Sequence, residues 1–169
     1  EGQRKCIYGA MQHKSSSKDG DTVKVASLSG YITENYDYRH GEVSLHETFI
    51  KLAQGFVGSN NIPLMVAEGQ FGSRHEGGKD HSSPRYIETK IDPIARFIFR
   101  KEDDEILEYN YDGDQRIEPK TLMPIIPMLL VNGGEGIATG WSSSIYNYNP
   151  KEIITWIKSW LQSPDGVVD

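Results

Sequence analysis

Leu45, Phe49, Leu52, Ala53 and Phe56 recur at intervals of three and four residues, and this spacing constrains the chain more than any other feature. At 3.6 residues per turn it lays one apolar stripe along a helix over residues 42–57, and such a stripe has to be buried against other elements. Gly58-Ser59-Asn60-Asn61 ends the helix. Two weaker helical patterns precede it: residues 3–14, with Ile7, Ala10 and Met11 on one face, and residues 23–35. A polar loop, 15–22, separates them. Downstream the period shortens. Residues 62–66 read as a strand, 85–91 alternate as a second short strand, and 92–100 suit a short helix. The charge run at 101–105 marks a boundary loop.

Residues 107–111, then Asp112-Gly113, then Gln115 onward read as a hairpin. Residues 129–132 read as a buried strand feeding the glycine-rich segment 133–140. Asn149-Pro150-Lys151-Glu152 is a helix start, with a capping side chain, proline in the first turn and an acid after it. Ile153, Ile157, Trp160 and Leu161 give that last helix an apolar face. Three early helices followed by a hairpin outline an α+β fold, a winged helix-turn-helix (CAP-like) domain over 1–101. An incomplete α/β subdomain, tower-like in outline, follows over 102–169.

Composition narrows the function classes. The longest apolar stretch, 123–131, is too short to span a bilayer and is broken by Pro124 and Pro127. No basic-then-apolar leader opens the chain. A lone cysteine, Cys6, has no internal disulfide partner and suits a reducing compartment. The net charge of −6 argues against a polyanion partner, but it is unevenly spread. Residues 1–101 carry 14 Lys and Arg against 12 Asp and Glu; residues 102–169 carry four against 12. All five histidines also fall in the first part. A surface for nucleic acid therefore belongs to residues 1–101.

The long loop at 67–83 holds Gly69-Gln70-Phe71-Gly72-Ser73-Arg74 and Gly77-Gly78-Lys79-Asp80, and leads into Pro84-Arg85-Tyr86-Ile87. Glycines let a backbone approach a ligand closely, and Arg74, Lys79 and Arg85 supply charge suited to phosphate. A loop of this length inside a compact domain has a job or is mobile. A tyrosine in a strand is by itself an ordinary packing residue.

These segments together resemble the active-site region of the type IIA DNA topoisomerases, in their eukaryotic and viral branch. Tyr38-Arg39-His40-Gly41-Glu42, the stretch from Leu52-Ala53-Gln54 to Asn60-Asn61, and Val131-Asn132-Gly133-Gly134-Glu135-Gly136-Ile137-Ala138-Thr139-Gly140-Trp141 extend the likeness in order along nearly the whole chain. Ile87, directly after the tyrosine, suits the eukaryotic branch. The resemblance implies that Tyr86 attacks a DNA phosphate to form a 5′-phosphotyrosyl bond. A phenol, with an ordinary pKa of about 10, needs a proton acceptor or a strong field for this. Arg85 would steady the charge on the transferring phosphate, and His40 would donate to it or shuttle a proton. Tyr38 and Ser44, beside a helix N-terminus, would contact phosphate, as would Arg4, Lys5, Arg74 and Lys79. Ile137 would wedge between base pairs and bend the duplex.

The same resemblance implies an ATP-dependent homodimer acting on double-stranded DNA in a nucleus, or in a viral replication compartment. Mg2+ and ATP would bind outside this fragment, with no metal site within it. The fragment alone is therefore expected not to relax DNA. A winged-helix module that binds DNA without cutting it is the alternative, distinguished by its having no need of the Arg85-Tyr86 pair with His40. A soluble α+β interaction domain, suggested by the net charge, is the third.

Overall fold

The computed structural model describes residues 1–16 and 21–163, so part of the polar loop expected at 15–22 lies outside the described residues. The chain forms two compact units: Glu1–Gln54 with Pro63–Met123, and Gly55–Ile62 with Pro124–Asp169.

In the first unit, α1 (Gly2–Gln12), α2 (Val25–Asn35) and α3 (Glu42–Ala53) pack on one another. Their shared core is Cys6, Ala10, Val25, Leu28, Ile32, Leu45 and Phe49, all fully buried. Burying each of the larger ones contributes about 1.5–3 kcal/mol. Gly9 permits the close approach of α1 to α2, since a Cβ there would overlap the Ile32 Cδ1 methyl. A short strand, β1 (Val23–Lys24), leads into α2 and pairs antiparallel with β2 (Glu88–Thr89). The remaining elements are α4 (Pro93–Ile98), capped by the Asp92 carboxylate, a 3-10 helix at Lys101–Glu105, and the hairpin of β3 (Tyr109–Asp112) and β4 (Gln115–Pro119). Gly113, at φ 59°, turns that hairpin.

The sequence pattern divides the chain after residue 101, whereas the first unit continues to Met123. The reason is a buried ion cluster. Glu118 on β4 is fully buried and receives Lys5 Nζ at 3.2 Å and Arg4 Nη2 at 3.5 Å from α1. Asn110 adds a hydrogen bond of 2.9 Å to the same oxygen. A buried carboxylate stripped of these partners would be strongly destabilising, so the hairpin stays with the helices.

The second unit contains α5 (Met128–Asn132), a hairpin of β5 (Gly134–Ala138) and β6 (Trp141–Ile145), and α6 (Pro150–Gln162). Residues 129–132, read as a strand, are helical. A run of three apolar residues before Asn132 has no period that separates the two states, and here the Leu130 and Val131 amides close back on Pro127 O at 2.9 and 3.2 Å. The start of α6 follows expectation: Asn149 Oδ1 accepts from Lys151 N at 3.0 Å. Its apolar face is only partly covered among the described residues: Ile153 and Ile157 are half-buried, Trp160 and Leu161 are exposed, and Trp156 and Trp160 stack on each other 6.4 Å apart.

Candidate active site

Tyr86 does not lie in a strand. Pro84 to Tyr86 form a turn, closed by Tyr86 N donating to Ser83 O at 2.8 Å, and the regular strand begins only at Glu88. The turn is fastened to the first turn of α2, whose Val25 and Ala26 amides donate to Ile87 O and Pro84 O at 3.1 and 3.0 Å. Just beyond it, Glu68 and Glu88 exchange backbone hydrogen bonds of 3.0 and 2.9 Å, and Val66 N reaches Lys90 O at 2.8 Å. The side chains then part. Ile87 is 1% exposed and enters the core, while Tyr86 is 80% exposed. Arg85 is exposed as well. Neither the Arg85 nor the Tyr86 side chain is hydrogen-bonded or ion-paired among the described residues. An ordered backbone thus holds two adjacent side chains toward solvent with their polar atoms unspent.

The glycine-rich loop before this turn is a built structure. Gln54, directly after α3, turns its buried amide into it and donates to Phe71 O at 2.7 Å and Gly78 O at 3.0 Å. This diversion of Gln54, whose backbone is extended at φ −71° and ψ 118°, ends α3 at Ala53, short of residue 57. Gly72, at φ 94°, lies so close to the opposite strand of the loop that a Cβ would sit 2.6 Å from Gly78 O. Gly78 N donates to Ser73 O at 2.8 Å, and Asp80 Oδ1 accepts from Ser73 N at 2.7 Å. That amide holds the Asp80 carboxyl below its ordinary range. Ser82 N closes the base on Gln70 O at 2.9 Å. Arg74 and Lys79 project from this frame as exposed side chains.

The start of α3 collects a second group. Tyr38 is buried with its hydroxyl donating to Ser44 Oγ at 3.0 Å, and its ring meets the His40 ring edge-on at 5.4 Å. His40 is exposed, with Nε2 3.7 Å from a Glu1 carboxylate oxygen. No hydrogen bond or ion pair joins His40 to Arg85 or Tyr86 among the described residues. Arg4 is half-buried and divides its donors between Glu118 and Lys120 O. Lys5 is buried, its ammonium enclosed by Glu118 and the carbonyls of Tyr36 and Asp37. Its charge is spent inside the fold and not on the surface where the sequence pattern puts it.

In the second unit, the β5–β6 hairpin turns through Thr139 and Gly140, pairing Ala138 with Trp141 and Ile137 with Ser142. Ile137 is 90% exposed and Trp141 is 82% exposed. An isoleucine placed at a hairpin's end with no core around it is unusual, because this side chain is among the most often buried.

With this geometry in place, comparison with known proteins identifies the class. The sequence model of the DNA gyrase/topoisomerase IV family matches residues 1–168, and the chain belongs to that family. Its similarity is strong to eukaryotic members. DNA topoisomerase 2 of Candida albicans is 51% identical over 157 residues, which is 93% of this chain and 10% of that protein. DNA topoisomerase 2 of Drosophila melanogaster is 49% identical over 167 residues, 99% of this chain and 11% of that one. The chain spans about a tenth of the length of the curated relatives it matches. The crystal structure of the DNA-binding, cleavage and re-ligation domain of Plasmodium falciparum topoisomerase II shares the fold. The TM-score is 0.88 at 52% identity, over 95% of this chain and 22% of that chain. The resemblance to type II topoisomerases and the mixed helix and small-sheet architecture are thereby established.

Sequence reading did not single out Gln54 as the anchor of the glycine loop, or Glu118 as the buried partner of Arg4 and Lys5. Gln54 carried one usable signal, an uncharged polar residue set between the last apolar residues of α3 and a glycine. Glu118, flanked by the buried Ile117 and Pro119, carried none.

Proposed function

We propose that this chain is the tyrosine-bearing part of the DNA-cleaving region of an ATP-dependent type II DNA topoisomerase, with Tyr86 as its nucleophile. The observation that carries the reading is the contrast within one turn, an 80% exposed Tyr86 beside a 1% exposed Ile87. A phenol held out on an ordered backbone is oriented before DNA arrives, which removes part of the entropic barrier to attack.

The phenolic oxygen gives up its proton and forms a bond to a backbone phosphorus of double-stranded DNA. The bond from phosphorus to the 3′-oxygen breaks, and that oxygen leaves as a hydroxyl after taking up a proton. One phosphodiester replaces another, so the 3′-hydroxyl reverses the step without a ligase. Arg85, with its planar fork of donors, stabilises the charge spread over the non-bridging oxygens. His40 donates to the same phosphate or relays a proton. Tyr38 and Ser44 at the start of α3, with Arg4, Arg74 and Lys79, track the DNA backbone. Lys5 acts from beneath the surface, through the Glu118 carboxylate it shares with Arg4.

We assign α1–α3 and the β3–β4 hairpin to a winged helix-turn-helix, the hairpin being the wing, and the second unit to the start of a tower-like subdomain. The β5–β6 hairpin presents Ile137 as an apolar wedge that opens a base step and bends the duplex. The working enzyme is a homodimer that passes one duplex through another, in a nucleus or a viral replication compartment. No helix among the described residues is long and apolar enough to cross a membrane. Mg2+ and ATP are placed in parts of the full-length enzyme outside this chain. Among the described residues no group of three or more His, Cys, Asp or Glu could hold a metal ion, and the steps above run through the chain's own side chains.

The test is Tyr86→Phe in the full-length enzyme. Covalent protein–DNA complexes trapped by denaturant are expected to vanish while noncovalent binding stays near normal. A variant that still becomes attached to DNA would remove the assignment, and would leave a DNA-binding module as the better reading.

A further inference from the structure

Three asparagines in the second unit spend their side-chain amides on backbone groups around the base of the β5–β6 hairpin. Asn132 and Ile62 form a reciprocal pair: Ile62 N donates to Asn132 Oδ1 and Asn132 Nδ2 donates to Ile62 O, both at 2.9 Å. Asn61 Nδ2 donates to Val131 O at 2.8 Å and Tyr148 O at 3.1 Å, and its Oδ1 accepts from Gly58 N at 2.7 Å. Asn147 Nδ2 donates to Ser59 O at 3.1 Å. Asn132 is the last residue of α5 and Asn147 follows β6, so the clamp grips the hairpin at both of its roots. Between them Gly133, at φ 69°, makes the turn from α5 into β5. A Cβ there would sit 2.7 Å from Asn147 Oδ1 and 2.8 Å from Ile145 O.

This arrangement does what a core would otherwise do. Val131 is the one buried hydrophobic residue among the described residues of this unit. A two-stranded hairpin is at best marginally stable by itself. An exposed Ile137 on a loose ribbon would yield when pressed against stacked bases, because unstacking costs a few kcal/mol per step.

We propose that Asn132, with Asn61 and Asn147, is a positioning residue for DNA bending: the amide clamp stiffens the hairpin so that force applied at Ile137 is met by segment 58–62. The proposal rests on the wedge reading of Ile137 given above. Side-chain amides suit this role because they hold backbone groups with fixed geometry and do not titrate.

A double-mutant cycle in the full-length protein tests it, with bending read by energy transfer between fluorophores at the two ends of a duplex. At saturating protein, Asn132→Ala is expected to lose bending in the presence of Ile137, and to cause no further loss when combined with Ile137→Ala. Bending by Asn132→Ala equal to that of the parent protein overturns the proposal. So does an equal further loss on both backgrounds, which would mean that Asn132 only supports folding. If Ile137→Ala alone leaves bending unchanged, the wedge reading itself fails and the proposal falls with it, a result distinct from the other two. Should Asn132→Ala not fold, Asn147→Ala leaves the Asn132–Ile62 pair intact and enters the same cycle, with the same expected dependence on Ile137.

Discussion

Tyr86 and Ile137 are both held out into solvent, and the two units hold them out by opposite means. Beneath Tyr86 lies a three-helix core, and the turn that carries it is tied to the first turn of α2 and to β2 through backbone hydrogen bonds. Beneath Ile137 there is no such core among the described residues; the hairpin is secured by asparagine amides gripping carbonyls and amides of segment 58–62. Rigidity at an exposed position therefore does not require apolar burial. Where little apolar surface is available, a dense set of satisfied polar contacts supplies fixed geometry, at the cost of contributing less net stability per contact.

The largest effect that tests this contrast is a core truncation in the first unit. Phe49→Ala removes a fully buried ring and is expected to cost about 3–5 kcal/mol, read as a lower denaturation midpoint. A loss under about 1 kcal/mol would show that the helices do not carry the Tyr86 turn. A smaller and more local effect is expected from Gln54→Ala. It leaves the buried carbonyls of Phe71 and Gly78 without their donor, at about 1–3 kcal/mol for each group left unsatisfied. Hydrogen exchange at Gly78 and proteolysis between residues 72 and 78 should both accelerate. Unchanged protection there would mean that the glycine loop is held by its own turns alone.

Features of the fold that come from periodic burial were legible in the sequence. The stripe of Leu45, Phe49 and Leu52 located α3, and Asn149-Pro150 located the start of α6, because spacing and capping act over a few neighbouring residues. What stayed hidden depends on partners distant in sequence. Residues 129–132 carry no distinguishing period, so helix and strand were not separable there. Lys5 looks like any surface cation until Glu118, more than a hundred residues away, is folded against it. Tyr86 and Ile137 were singled out through their motifs. Their exposure could not be read from residue type, since burial is the usual state of isoleucine and packing the usual work of tyrosine.

In the second unit a single cap should matter more than its size suggests, because α6 has no buried residue to compensate for a frayed end. Asn149→Ala removes the acceptor for Lys151 N and is expected to cost about 1 kcal/mol, seen as loss of exchange protection in the first turn of α6. No change in that turn would show that Pro150 alone secures the helix start.

The smallest effect separates the two means of anchoring by pH. Asp80 fastens the glycine loop through the Ser73 amide, and that contact holds its carboxyl below the ordinary 3.8. A depressed folded value gives a stabilisation that is fully present above the unfolded pKa and is lost as pH falls through the folded one. The asparagine clamp on the second unit has no titrating group. Lowering the pH from about 5 to about 3 should therefore reduce protection at Ser73 N relative to Ile62 N, after correction for the intrinsic exchange rate. The contribution is modest because Asp80 is exposed and solvent screens it. Asp80→Asn should abolish the difference by removing the titration while leaving a side-chain oxygen able to accept. Parallel behaviour of the two amides in the parent protein would show that Asp80 does not secure the loop, and that the two units respond to acid through a cause they share.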